Sequence, residues 1–262
     1  AFDARSGRER FAFVPNAVID HLQLLADPLY MHRYYVDGPA AVSDAWLGGS
    51  WKTVLVGSTG AGGRSYFALD VENPRDSAEG GSIRPAQVLW EVEDADLGYS
   101  IGQAAIGMTE SGHWAAIFGN GYNSEQQRAM LFVVDLASGE VLARLDTGAG
   151  SAEAPNGLAT PVAIDSDGNG AIDLVYAGDL HGAMWKFDFT GAQAGAWQLA
   201  LGGEPLFRAT DADGRPQPIT SRPQVARHPS RGGLLVAFGS GQFFERGDAA
   251  RQDVNSFYGV LD

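Results

Sequence analysis

Ala116-Ile-Phe-Gly119, a turn, and then Leu131-Phe-Val-Val-Asp135 form the unit that decides the fold: an apolar run ending on glycine, then an aromatic-rich run ending on aspartate. The unit recurs. Val54-Leu-Val-Gly57 leads to Tyr66-Phe-Ala-Leu-Asp70, Tyr176-Ala-Gly178 to Met184-Trp-Lys-Phe-Asp188, and Val236-Ala-Phe-Gly239 to Phe257-Tyr-Gly-Val-Leu-Asp262. Gly57, Gly119, Gly178 and Gly239 stand 62, 59 and 61 residues apart. Short β-branched and aromatic runs bounded by turn residues read as strands, and self-similarity at a fixed period marks a repeat architecture.

Each unit opens on a small-residue strand: Ala40-Ala-Val42, Ala104-Ala-Ile106, Pro161-Val-Ala163 and Pro223-Gln-Val225. After the aspartate comes a turn, Ser138-Gly139 or Thr190-Gly191, and then a further strand, Glu140 to Leu145 or Trp197 to Leu201. Four antiparallel strands per unit describe the blades of an all-β propeller, whose first strands need small side chains where blades crowd around the axis. A β-sandwich, which also gives short and evenly spaced strands, is the lesser alternative. The blade units run over residues 38–93, 101–146, 157–201 and 220–262, with 1–15 a partial blade. In that partial blade, Ala1 to Gly7 reads as the end of a third strand with its turn, and Glu9 to Val14 as a fourth strand. That makes about four blades plus an extra N-terminal strand pair. With no initiator Met and no signal peptide before Ala1, the chain reads as a single-domain piece of a longer protein whose propeller has further blades upstream.

All-β chains of 262 residues can bury one core. The formal charge of -14, with Lys52 and Lys186 the only lysines, repels phosphate backbones and anionic membrane surfaces, which argues against nucleic acid as a partner. No run approaches the ~18 apolar residues of a membrane span, so direct membrane insertion is not expected. The chain has 0 cysteines, which excludes disulfides and thiolate metal sites without fixing the compartment.

Between Leu158-Ala-Thr-Pro-Val-Ala-Ile164 and Leu174-Val-Tyr-Ala-Gly178, both strand-like, lies Asp165-Ser-Asp-Gly-Asn-Gly-Ala-Ile-Asp173. Oxygen donors at Asp165, Asp167, Asn169 and Asp173, with the backbone carbonyl of Ala171, suit a hard cation that takes six to eight oxygens, and the pattern points to calcium (Ca2+). Gly168 and Gly170 permit the positive φ that lets the donors converge. The pattern follows the first nine positions of an EF-hand loop, but position 12 is Tyr176 rather than Glu, so Asp173 must close the site, and the flanks are strands rather than helices. A plain Asp/Asn/Gly turn is the alternative. Three carboxylates in nine residues repel one another unless a cation lies among them, which makes that alternative costly.

Weaker signals surround this one. Arg246-Gly247-Asp248 is an integrin-type tripeptide on a polar loop, with a solvated turn as its ordinary explanation. Gly57 to Ser65 has the glycine spacing of a phosphate loop but Gly63 at the lysine position and a strand after it, so it reads as a hairpin turn. Asp211-Ala-Asp213-Gly214 begins like a second calcium loop but continues into Arg215-Pro216 and reads as a turn. His21, His32, His113, His181 and His228 show no metal-ligand spacing.

Several motifs in the same order resemble the C-terminal propeller of the PilY family of type IV pilus tip adhesins: His32-Arg-Tyr-Tyr-Val-Asp-Gly38, Trp51-Lys-Thr-Val-Leu-Val-Gly57 with Gly60-Ala-Gly-Gly63, Tyr66-Phe-Ala-Leu-Asp-Val71, Gly119-Asn-Gly-Tyr-Asn123, and Tyr176-Ala-Gly-Asp-Leu-His-Gly182 with Trp185-Lys-Phe-Asp188. The resemblance runs over nearly the whole chain. It implies an exported, non-enzymatic protein at the pilus tip or bacterial cell surface. Its calcium propeller would govern pilus extension against retraction, and so twitching motility and adhesion, with minor pilins as partners and a host cell-surface receptor as a further one. It also implies a calcium ligand set of Asp165, Asp167, Asn169, the Ala171 carbonyl and Asp173. The family's variable N-terminal adhesive region has no counterpart here. A purely structural interaction propeller with an unswitched calcium clamp is one alternative. Another is a pyrroloquinoline-quinone dehydrogenase, because such propellers share the Asp-Ala-x-Ser-Gly turn seen at Asp3 to Gly7; their calcium sits in the central channel, whereas contiguous donors in an inter-strand loop suggest a peripheral site.

Overall fold

The repeated glycine-to-aspartate unit forms the second and third strands of four successive antiparallel sheets. The computed structural model describes residues 1–73 and 84–262, so residues 74–83 of the first blade unit lie outside the described part. Blade 1 is β1 (Ala41–Leu47), β2 (Ser50–Ser58), β3 (Ser65–Asp70) and β4 (Val88–Glu93), paired in that order. Blade 2 is β5 (Ala105–Thr109), β6 (Trp114–Gly119), β7 (Met130–Asp135) and β8 (Val141–Asp146). The third unit contributes β9 (Val162–Ile164), β10 (Ala171–Ile172), β11 (Leu174–Gly178), β12 (Ala183–Asp188), β13 (Gln198–Leu199) and β14 (Phe207–Arg208), of which all but β10 form the blade 3 sheet. Blade 4 is β15 (Gln224–Arg227), β16 (Leu234–Gly239) and β17 (Phe257–Leu261).

The closing aspartates Asp70, Asp135 and Asp188, and Asp3 of the partial blade, work as turn receptors. Asp135 Oδ1 accepts the N–H groups of Ala137 and Ser138 and the Ser138 hydroxyl at 3.1, 2.8 and 2.8 Å. Asp3 Oδ1 accepts the matching groups of Arg5 and Ser6 at 3.1, 2.8 and 2.8 Å. A carboxylate bonding its own backbone two and three residues on replaces a backbone turn, which is why the residue type recurs. Two of the repeated glycines, Gly119 and Gly178, have a different cause. A Cβ on Gly119 would come within 2.2 Å of the Ala159 carbonyl, and one on Gly178 within 2.3 Å of Ile219, so the next blade's backbone crosses too closely for any side chain.

Central strands read as continuous apolar runs because both faces of each sheet are covered. Between blades 1 and 2, Tyr66 stacks on Phe118 at 3.8 Å, and Phe118 on Phe132 at 5.9 Å. Ile117, Leu131 and Val133 face Val175, Trp185 and Phe187 between blades 2 and 3, and Tyr176 and Met184 face Val236 and Phe238 between blades 3 and 4. The first strands β1, β5, β9 and β15 lie side by side. A cavity between them is lined by small residues such as Ala41, Ala105 and Ala163, with Gln103 and Arg222 as its larger polar groups.

Four expectations need correction. Residues 9–14 form no fourth strand: one bridge joins Phe2 to Glu9 across the Asp3 turn, and Phe11 and Phe13 instead lay their rings on Phe67 and Leu69, covering the outer face of blade 1. In blade 3 the strand expected over Trp197 to Leu201 shrinks to Gln198–Leu199. Trp197 is drawn into the core, where it stacks on Phe189 at 5.0 Å, and β14 takes the other half of the β12 edge. The four-stranded antiparallel pattern gains a parallel fifth strand in blade 2, because β10 pairs with β5 across the blade boundary. That pairing also displaces the acidic loop from the expected periphery to the inner edge of the sheets. Among the described residues, no helix is long and apolar enough to cross a membrane.

Candidate metal centre

The loop of residues 165–173 joins β9 to β11 and is held at both ends by strand pairing, Ile164 to Leu174 on one side and Ala171–Ile172 to Met108 and Thr109 on the other. Ile172, 6% exposed, anchors it: its Cδ1 sits where a Cβ on Gly107 would lie at 2.7 Å, so the glycine in β5 makes room for the anchor. Gly168 and Gly170 adopt φ of +86° and +92° with no neighbour near a hypothetical Cβ, so backbone sign rather than space requires glycine there.

With the backbone reversed in this way, one carboxylate oxygen from each of Asp165, Asp167 and Asp173 falls within 4.8 Å of the other two. Asp165 takes the N–H of Gly168 on Oδ1 at 2.6 Å and that of Gly170 on Oδ2 at 2.9 Å. These bonds, that of Gly170 foremost, hold its carboxyl below the ordinary aspartate value. Asp167 Oδ1 accepts the Asn169 N–H at 2.9 Å, and Asn169 Oδ1 accepts the Ala171 N–H at 2.7 Å. Asp173, only 4% exposed, accepts the N–H and hydroxyl of Ser166 on Oδ2 at 2.6 and 2.7 Å. Tyr176, at the position where an EF-hand has its Glu, turns away and donates to Asp262 Oδ2 at 2.6 Å.

The donor set is all oxygen, net negative and built on a loop fixed at both ends, with lone pairs left on each carboxylate. That chemistry fits a hard divalent cation and offers no nucleophile or acid–base pair. Sequence reasoning missed three residues that hold the loop. Ser166 is inside it. Glu110 accepts from Asn169 Nδ2 at 2.6 Å, and Arg227 donates to the Ser166 carbonyl. They lie 59 residues before and 61 after their partners, about one blade period each, so each stands in a flanking blade at the level of the loop. The period was the only signal that could have found them.

The other candidates resolve differently. Asp248 of the Arg246-Gly247-Asp248 triplet is 7% exposed, and its carboxylate accepts the N–H groups of Glu245 and Phe244 at 2.8 and 2.9 Å and Gln242 Nε2 at 3.0 Å. The Glu245 N–H first, with the amide of Gln242 and the N–H of Phe244, pulls its pKa down to about 2. An integrin-type motif presents this carboxylate outward, whereas here Asp248 closes its own loop, which favours the turn over the tripeptide reading. Gly57 to Ser65 spans the end of β2, the hairpin connection of residues 59–64 and the start of β3, and Asp211 caps the turn to Arg215. His113 pairs with Asp135 at 2.8 Å and His181 with the Pro155 carbonyl at 3.1 Å, away from the loop.

Comparison with known proteins agrees with this architecture. The PilY1 beta-propeller domain family matches residues 2–262. A type IV pilus biogenesis factor PilY1 homolog of Xylella fastidiosa is 45% identical over 100% of this chain and 18% of its own length. The type IV pilus biogenesis factor PilY1 of Pseudomonas aeruginosa PAO1 is 38% identical over 98% of the chain and 23% of its own length. The crystal structure of the Pseudomonas aeruginosa PilY1 C-terminal domain superposes with a TM-score of 0.84 at 37% identity, covering 100% of this chain and 54% of that one. The chain thus spans roughly a fifth of its curated relatives, and it belongs to the PilY1 β-propeller domain family.

Proposed function

We propose that this chain is the calcium-binding propeller module of a type IV pilus factor at the pilus tip or cell surface. Minor pilins are its partners, and its cation state bears on pilus extension against retraction, twitching motility and adhesion. The observation that carries the reading is the convergence of Asp165, Asp167 and Asp173 on a loop wedged between blades. A site formed from three carboxylates, without the bidentate position-12 Glu, should bind calcium with a Kd on the order of 10⁻⁶ to 10⁻⁴ M, in a range that extracellular calcium can fill or empty. The family match supplies the pilus context. The reading is non-enzymatic. The described residues lining the cavity between the first strands carry no carboxylate to hold a quinone-bound calcium, which disfavours the dehydrogenase alternative.

A second reading is favoured by the contacts of Glu110 and Arg227: the ion is a structural clamp that locks three blades and switches nothing. The two separate in a strain carrying Asp165→Ala. Altered twitching and surface piliation, with a protein still folded at the growth temperature, support the regulatory reading. Normal pilus behaviour with only a lowered Tm supports the clamp.

A further inference from the structure

Asn169 differs from the aspartates around it in being unsymmetrical: one end of its amide accepts, the other donates, and only the oxygen can meet a cation. Its surroundings fix which end points where. Nδ2 donates to Glu110 Oε1 at 2.6 Å and, at 3.4 Å, to Asp167 Oδ2, while Oδ1 accepts the Ala171 N–H at 2.7 Å. Turned over, the amide would set its oxygen against the Glu110 carboxylate and its NH2 against the N–H of Ala171, losing both bonds and facing like against like. Glu110 is not part of the loop. It follows Thr109, the last residue of β5, and Thr109 is the register partner of Ile172 in β10. The strand pairing that docks the loop on blade 2 therefore also delivers the carboxylate.

We propose that Glu110 is a positioning residue of the cation site, supplied by the second blade, which orients the Asn169 amide so that its oxygen is presented with the carboxylates of Asp165, Asp167 and Asp173. The inference rests on the calcium reading above and adds its regulation: filling of the loop and packing of blade 2 on blade 3 become one equilibrium, each favouring the other by the same factor. Partners outside the ligand set that orient a ligating group commonly contribute 10- to 100-fold in metal affinity.

The test is calorimetric titration of the whole chain with calcium alone, together with melting curves with and without the ion, for wild type, Glu110→Ala, Glu110→Gln, Asn169→Asp and the double variant Glu110→Ala/Asn169→Asp. Glu110→Ala should weaken binding about 10- to 100-fold and lose most of the calcium-induced rise in Tm. Glu110→Gln, whose amide oxygen still accepts from Asn169, should restore most of the affinity. With Asn169→Asp the side chain has two equivalent oxygens, so removing Glu110 should no longer weaken binding, and loss of a neighbouring like charge should tighten it. Three results overturn the proposal: Glu110→Ala binding like wild type, Glu110→Gln as poor as Glu110→Ala, or a loss of affinity on removing Glu110 that is undiminished in the Asn169→Asp background. Wild-type protein that binds no calcium overturns the calcium reading itself along with it, whereas calcium binding indifferent to Glu110 overturns this inference alone.

Discussion

Arg227 of β15 donates through Nη2 to the backbone carbonyl of Ser166, and Ser166 gives both its N–H and its hydroxyl to Asp173. The fourth blade thereby holds the residue that orients the most buried carboxylate of the loop. Replacing Arg227 by Ala removes one charge-assisted bond at a partly solvated position, a loss of about 1 kcal/mol. If that loss falls on the loaded state, calcium binding weakens about fivefold. Titration of the Arg227→Ala protein should show this with little change in the Tm of the calcium-free form.

Asp248 gives a pH signature. Its pKa in the folded protein is about 2, against about 3.9 for an unfolded aspartate, so its contribution is complete above pH 4 and fades as pH falls toward 2. Melting curves between pH 2 and 5 should fall more steeply for wild type than for Asp248→Asn, and the two should run parallel at higher pH. Because this carboxylate is turned inward, Arg246→Ala should leave attachment of integrin-bearing cells unchanged, which a cell-adhesion assay can measure.

Phe118 is fully buried between Tyr66 and Phe132 and carries the contact of blades 1 and 2. Phe118→Ala should cost about 3–5 kcal/mol through lost transfer energy and the cavity left behind. For a chain of this size that lowers Tm by on the order of 10 °C. Scanning calorimetry would show it, and calcium should restore only part of the loss, since the ion acts at the far boundary of blade 2.

Much of this molecule is legible in its residues because the chemistry repeats. At Gly119 and Gly178 the glycine of the unit marks a close crossing of backbones, and at Asp135 and Asp3 the aspartate caps its turn, so the repeat could be placed from the chain alone. The acidic loop declared itself for the same local reason: donors and positive-φ glycines lie within nine residues. What stayed hidden was set by long-range competition. Trp197 reads as strand, but stacking on Phe189 outweighs edge pairing. Phe11 and Phe13 read as strand, but the uncovered face of Phe67 and Leu69 takes their rings. Asp248 reads as an exposed ligand because nothing in a tripeptide shows that Phe244 and Glu245 will aim their N–H groups at it. Glu110 and Arg227 lie one period from the loop, a relation visible only once the period is taken as a spatial instruction.

Calcium should also stabilise the whole fold. At a concentration 100 times Kd, binding to the native state alone adds about 2.7 kcal/mol. Thermal melts in calcium at about 100 times Kd and in excess chelator should therefore differ by several degrees for wild type and coincide for Asp173→Ala.

The central claim, that the loop of residues 165–173 is a cation site and not an acidic turn, is tested most directly by calorimetric titration of calcium into wild type and Asp165→Ala. The expected result is one site with a Kd on the order of 10⁻⁶ to 10⁻⁴ M in wild type, abolished or weakened at least tenfold in the variant. No heat of binding in wild type, or equal binding by the two proteins, would contradict it.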